Sequence, residues 1–120
     1  MSSIDRPLSG DVLRFDLATE RARVDDPALL ERHGRNARTL VKDGALRVTL
    51  VRVRAGGRID AHHAAGPITV HVLDGDIRFR AAGRDHRLKP GEVLAVPGGV
   101  EHEVASDAGG TFLLTVAHPG

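Results

Sequence analysis

Seven histidines carry most of the chemistry this sequence offers: His33, His62, His63, His71, His86, His102 and His118. A neutral imidazole can ligate a metal, accept a hydrogen bond or take a proton, and it changes charge near physiological pH. Competing chemistries are missing from the composition. There is no cysteine, which removes thiolate ligands, thiol nucleophiles and disulfides. Beyond the first ten residues Ser106 is the single serine, and it sits in no G-x-S-x-G elbow. No glycine-rich loop opens a helix, no P-loop lysine follows one, and H-E-x-x-H is absent.

Spacing singles out a subset of the histidines. His62 and His63 follow Gly56-Gly57-Arg58-Ile59-Asp60-Ala61, His71 lies inside Ile68–Leu73, and His102 follows Pro97-Gly98-Gly99-Val100-Glu101. On inward positions of a barrel, such imidazoles can converge on a metal and leave coordination positions open to substrate. His71 alternates against Ile68, Val70 and Val72, so it reaches the same cavity only if its strand is bulged, and His63 meets the same objection relative to His62. His33 reads as a helix C-terminal residue facing the macrodipole, and His86 and His118 as exposed turn and tail residues. Glu101 and Glu103 flank His102 and point away from it. Asp60 is a turn residue that could orient an imidazole. Arg52 and Arg54 read as an outer, charged face.

The elements that must position these side chains are short strands. Asp26-Pro27 starts a helix over Pro27–His33 that Gly34 stops, and Val12–Leu17 is expected to add an edge strand after an irregular Met1–Asp11. From Arg38 onward the apolar period becomes two. Leu46, Val48 and Leu50 alternate, then Val51 and Val53 do, and this parity slip predicts a β-bulge or a corner between Leu50 and Val51. Ile68–Leu73 and Ile77–Ala81 flank Asp74-Gly75-Asp76 and predict a hairpin. His86–Leu88, Val93–Val96, His102–Ala105 and Thr111–Ala117 follow, with Val93–Val96 apolar on both faces like a strand inside a sandwich. Short strands with turn signals every eight to twelve residues predict an all-β sandwich or small barrel.

The 120 residues have room for one domain. A net charge of +1, no Trp or Tyr and only three Phe argue against a nucleic-acid partner. No apolar run is long enough for a membrane span, and Met1–Gly10 lacks the pattern of a secretory signal, so a cytoplasmic protein without a membrane partner is expected.

The glycines, prolines and histidines resemble the two signature motifs of the cupin family. Gly56, His62 and Gly75 match G-x5-H-x-H-x3-E-x6-G, with Ala64 in place of the second histidine and Ile68 in place of the glutamate. Gly91, Pro97, Gly99 and His102 match G-x5-P-x-G-x2-H-x3-N, with Ser106 at the asparagine position. The resemblance runs from about Arg38 to Val116 and implies a double-stranded β-helix of jelly-roll type over 38–120, preceded by an arm over 1–37, and commonly a homodimer. It implies a divalent metal (Fe, Mn, Ni or Zn) at His62 and His102; two of the four ligand positions are lost, so a third ligand has to come from outside the motifs, and His71 is the nearest candidate. Ile68, Val70, Val72, Val104, Leu114 and Val116 are expected to line the cavity. Two functions remain open: a metal-dependent enzyme of dioxygenase or isomerase type acting on a small molecule, and a metal-free ligand-binding or sensor barrel without catalysis.

Overall fold

The computed structural model describes residues 6–118, so the first half of the irregular Met1–Asp11 stretch lies outside it. Two helices, α1 (Leu17–Val24) and α2 (Pro27–His33), precede nine strands: β1 (Arg35–Asp43), β2 (Leu46–Val53), β3 (Arg58–His62), β4 (Ile68–Gly75), β5 (Ile77–Ala81), β6 (Arg84–Leu88), β7 (Val93–Val96), β8 (His102–Ala105) and β9 (Gly110–Ala117). A five-stranded sheet in the order β1-β2-β9-β4-β7 faces a four-stranded sheet in the order β3-β8-β5-β6, and every pairing is antiparallel. This is the two-sheet, mostly-β arrangement that the turn spacing predicts, and it is consistent with the jelly-roll that the family resemblance implies.

The expected edge strand at Val12–Leu17 is not formed. Asp16 starts α1 instead, its carboxylate accepting from the Ala18 amide and the Thr19 hydroxyl, while Val12 is fully exposed. Helix α2 forms as the sequence predicts, with Asp26 accepting from the Ala28 and Leu29 amides, Pro27 at its start, and Gly34 ending it at φ +80°.

Nor does the parity slip at Leu50/Val51 mark a bulge in β2, which pairs with β9 in unbroken register from Leu46 to Val53. Both faces of β2 are covered. Leu50 packs with Val24 and Leu40 under the helices, whereas Val51 and Val53 belong to the core between the sheets. Two apolar faces in sequence look like one face that has shifted. The bulge lies on the partner strand β1, between Thr39 and Val41.

Two further expectations are corrected by topology. Strands β4 and β5 do not form a hairpin: β4 pairs with β7 and β9, and β5 with β6 and β8. Asp74-Gly75-Asp76 is therefore a crossover between sheets. Strand β7 is an edge, not an interior strand, and its Val93 is 59% exposed.

The crossover is held by Ser106. Its hydroxyl donates to the Asp76 carbonyl at 2.6 Å and accepts from the Gly109 amide at 2.8 Å. Burial opposes the charged form of Asp76, but the amides of Ala108 and Asp107, the Ser106 hydroxyl and Arg78 outweigh it and hold the carboxyl below its ordinary value. Gly75 sits here at φ +72°, opposite Gly110, and a Cβ on it would lie 2.6 Å from the Gly110 Cα. Both the dihedral and the close approach exclude a side chain. Gly75→Ala should destabilise the protein by more than about 2 kcal/mol, read as a lowered urea midpoint, and an unchanged midpoint would refute this account of the crossover.

Candidate functional site

The site begins with one extra residue in β3. Ile59 pairs with Val104 and His62 with His102, so three steps along β3 match two along β8. Plain alternation from the core-packed Ile59 would turn Ala61 and His63 inward. The bulge at Asp60 and Ala61 turns His62 inward instead and leaves His63 exposed. On β8, His102 shares the inner face with Val104, opposite Ala81 of β5. The ladder is anchored beyond its other end by the Gly56-Gly57 turn, where the Gly56 amide donates to the Ser106 carbonyl and the Ser106 amide to that of Gly57. The end of α2 presses on the same turn, with the Arg54 amide donating to the Gly34 carbonyl.

The two imidazoles meet with ring centroids 4.4 Å apart at an interplanar angle of 70°. Phe79 stacks on the other side of His102 at 5.2 Å and 25°. His102 is only 5% exposed, whereas His62 is open to solvent, so the pair lies at the mouth of the barrel.

The two rings are held in the same way. Nδ1 of His62 is 2.9 Å from the Asp60 carbonyl, and Nδ1 of His102 is 3.0 Å from the Val100 carbonyl. A carbonyl only accepts, so each Nδ1 donates, and in the neutral ring the lone pair is on Nε2. Asp60 thus orients its imidazole through its backbone. Burial pushes His102 below the ordinary histidine value; the bond to Val100 opposes this, and the neighbouring His62 and His63 add to it.

Two loops close around the pair. The Gly99 amide donates to the Ala64 carbonyl at 2.8 Å, and Gly98 lies so near the preceding loop that a Cβ would stand 2.5 Å from the Ala65 carbonyl oxygen. Ile68, Val70, Val72 and Val104 are buried between the sheets, and Leu114 and Val116 are partly buried against them, as are Ala64, Leu94 and Val100. The sequence does not single out Phe79 or the two orienting carbonyls. Alternation beside His102 could have suggested Phe79, but a carbonyl acceptor carries no sequence signal.

His71 does not join the pair. It faces Leu113 and Val93 across the ladder, half-buried on the side of the five-stranded sheet opposite Ile68, Val70 and Val72, because the irregularity in β4 comes only after Val72. Arg52, on that outer side, binds Asp74 at 3.0 Å and Thr111 at 3.2 Å; Asp74 also meets Arg21 of α1.

The cupin domain model matches residues 49–117, more than half of the chain. The chain belongs to the cupin family. Solved structures agree on the fold. A conserved protein of unknown function from Streptococcus pyogenes superposes with a TM-score of 0.75 at 24% identity, covering 95% of this cupin and 94% of that chain. A cupin superfamily protein from Desulfitobacterium hafniense gives 0.68 at 18% identity over 71% and 78%. Salicylate 1,2-dioxygenase from Pseudoaminobacter salicylatoxidans gives 0.76 at 18% identity over 86% of this cupin but 32% of the dioxygenase. No curated protein sequence matches.

The donor set of this cupin does not fit the divalent metal that the family motifs imply. Protein sites for such ions supply at least three ligands, as in catalytic zinc sites or the two-histidine, one-carboxylate triad. Here Ala64 and Ile68 present hydrocarbon at two of the four positions, and among the described residues no group of three or more His, Cys, Asp or Glu side chains could hold an ion.

His102 makes stability depend on pH. Below the ordinary histidine value of about 6.5 the unfolded chain takes up a proton that the folded ring resists, so this contribution is present above that value and fades as pH falls through the lower folded value. The urea midpoint should fall between about pH 7.5 and 5, with a shallower slope in His102→Gln. Identical slopes in the two proteins would show that His102 is not held neutral.

Proposed function

We propose that this cupin is a metal-free binding barrel for a small organic molecule carrying a hydroxyl or N–H donor, which the Nε2 atoms of His62 and His102 accept at the barrel mouth. The observation that carries this reading is the pair of Nδ1 contacts to the Asp60 and Val100 carbonyls, which commits both rings to offering an acceptor at Nε2. The partly buried Ala64, Leu94, Val100, Leu114 and Val116 supply apolar contacts for the ligand body. Two acceptors among apolar walls select for donors, since a bound group without one leaves a ring nitrogen desolvated and unpaired.

A metal-dependent enzyme of dioxygenase or isomerase type is the competing reading, kept alive by the two motif histidines. It needs a third ligand from outside the motif. Equilibrium dialysis against Fe(II), Mn(II), Ni(II) and Zn(II), with NMR titration of phenol as a model donor, separates the two. We expect no stoichiometric metal to be retained at micromolar concentration, and phenol to shift the methyl signals of Leu114 and Val116 in the wild type but not in the His62→Ala/His102→Ala double variant. One ion held per chain and lost in the double variant would overturn the proposal, as would phenol binding that the double variant leaves undiminished.

A further inference from the structure

A pocket of about 500 Å³ lies away from the imidazoles, on the helix-covered side of the five-stranded sheet. It is walled by the segment before α1, by the end of α1 and by β1, with Arg6, Arg23 and Arg38 as its charged side chains and no carboxylate in its lining. We propose that it binds an oxyanion, the carboxylate or phosphate group of a small molecule.

Charge and unused bonding capacity both point that way. Among the described residues the one acidic partner of these arginines is Glu20, a buried carboxylate that receives Arg38 Nε at 2.6 Å and Arg23 Nη1 at 3.1 Å. Among the described residues one negative charge therefore faces three guanidinium groups. Arg6 donates through Nη2 to the Thr39 carbonyl, but its Nε and Nη1 are buried without a hydrogen-bond partner. Donors on a charged group left unmade in the interior are costly; both atoms are covered by protein, and a turn of the Arg6 side chain toward the pocket would give them the acceptors of a bound oxyanion. Burial works against the charge on Arg6, and Arg38 and Arg23 add to it while Glu20 opposes, as expected for a cationic pocket short of one anion.

The segments that wall the pocket are tied to one another. The segment bearing Arg6 is tied to β1 by the Lys42 amide donating to the Leu8 carbonyl at 3.0 Å, and Asn36 donates to the Val24 carbonyl at the end of α1. Leu8, Val24 and Ala37 give a ligand body an apolar surface beside the arginines.

The test is calorimetric titration of the full chain with inorganic phosphate and, separately, with succinate, at constant ionic strength against a chloride control. We expect saturable binding of at least one of them with a dissociation constant of about a millimolar or tighter. Preference for phosphate or for succinate identifies the group the pocket takes. Arg6→Gln and Arg23→Gln should each weaken binding about tenfold, whereas His102→Gln should leave it unchanged. Arg6→Gln also removes the bond to the Thr39 carbonyl, so its binding is read at a temperature where the anion-free variant is fully folded by circular dichroism. Absence of saturable binding by either anion, or full binding in both arginine variants, would overturn the proposal.

Discussion

The register between β3 and β8 is the constraint on which the site depends. One residue too many between Ile59 and His62 moves the inward position from Ala61 to His62 and brings that ring against His102. In a regular register Ala61 would oppose His102, and the barrel mouth would hold one imidazole and a methyl group. The register is fixed by features outside the pair. Ser106 exchanges backbone bonds with the Gly56-Gly57 turn, while its hydroxyl ties the β4–β5 crossover to the turn before β9. The residue at the asparagine position of the second motif thus serves the site from a distance.

A second layer of order concerns which nitrogen faces outward. Asp60 and Val100 each lie two residues before a histidine, and their carbonyls engage the two Nδ1 atoms alike. The strand ends therefore set the hydrogen-bonding character of the mouth, and no further side chain is needed to select the tautomer. Phe79 stacks on His102 and the ring is buried, which disfavours its charged form. Where family motifs place metal ligands, Ala64 and Ile68 extend the apolar wall, so the polar chemistry of the mouth comes down to two acceptors.

Much of the fold was legible in the sequence because glycine, proline and period-two alternation report local geometry. The helix over Pro27–His33 and the run of short strands follow from residues close to one another in the chain. The misread elements share a physical cause: each depends on a partner distant in sequence. Strand β2 buries both faces because helices cover its outer one, Asp74-Gly75-Asp76 joins two sheets because Gly110 passes close to Gly75, and Val93–Val96 is an edge because nothing pairs beyond it. At the site, alternation correctly sets His71 apart from Ile68, Val70 and Val72, and groups His102 with Val104. The bulge that turns His62 inward has no local signal, since Asp60 and Ala61 suit a regular strand end as well as an irregular one.

The central claim is that both imidazoles donate through Nδ1 and present Nε2 as an acceptor. Nitrogen NMR of histidine-labelled protein, recorded above the pH at which either ring is charged, reads this directly, because protonated and unprotonated ring nitrogens resonate far apart. The account predicts that His62 and His102, assigned by single substitutions, both carry the proton on Nδ1 with Nε2 free. A proton on Nε2 of either ring would contradict it, since that ring could not donate to its carbonyl and the mouth would no longer present two acceptors.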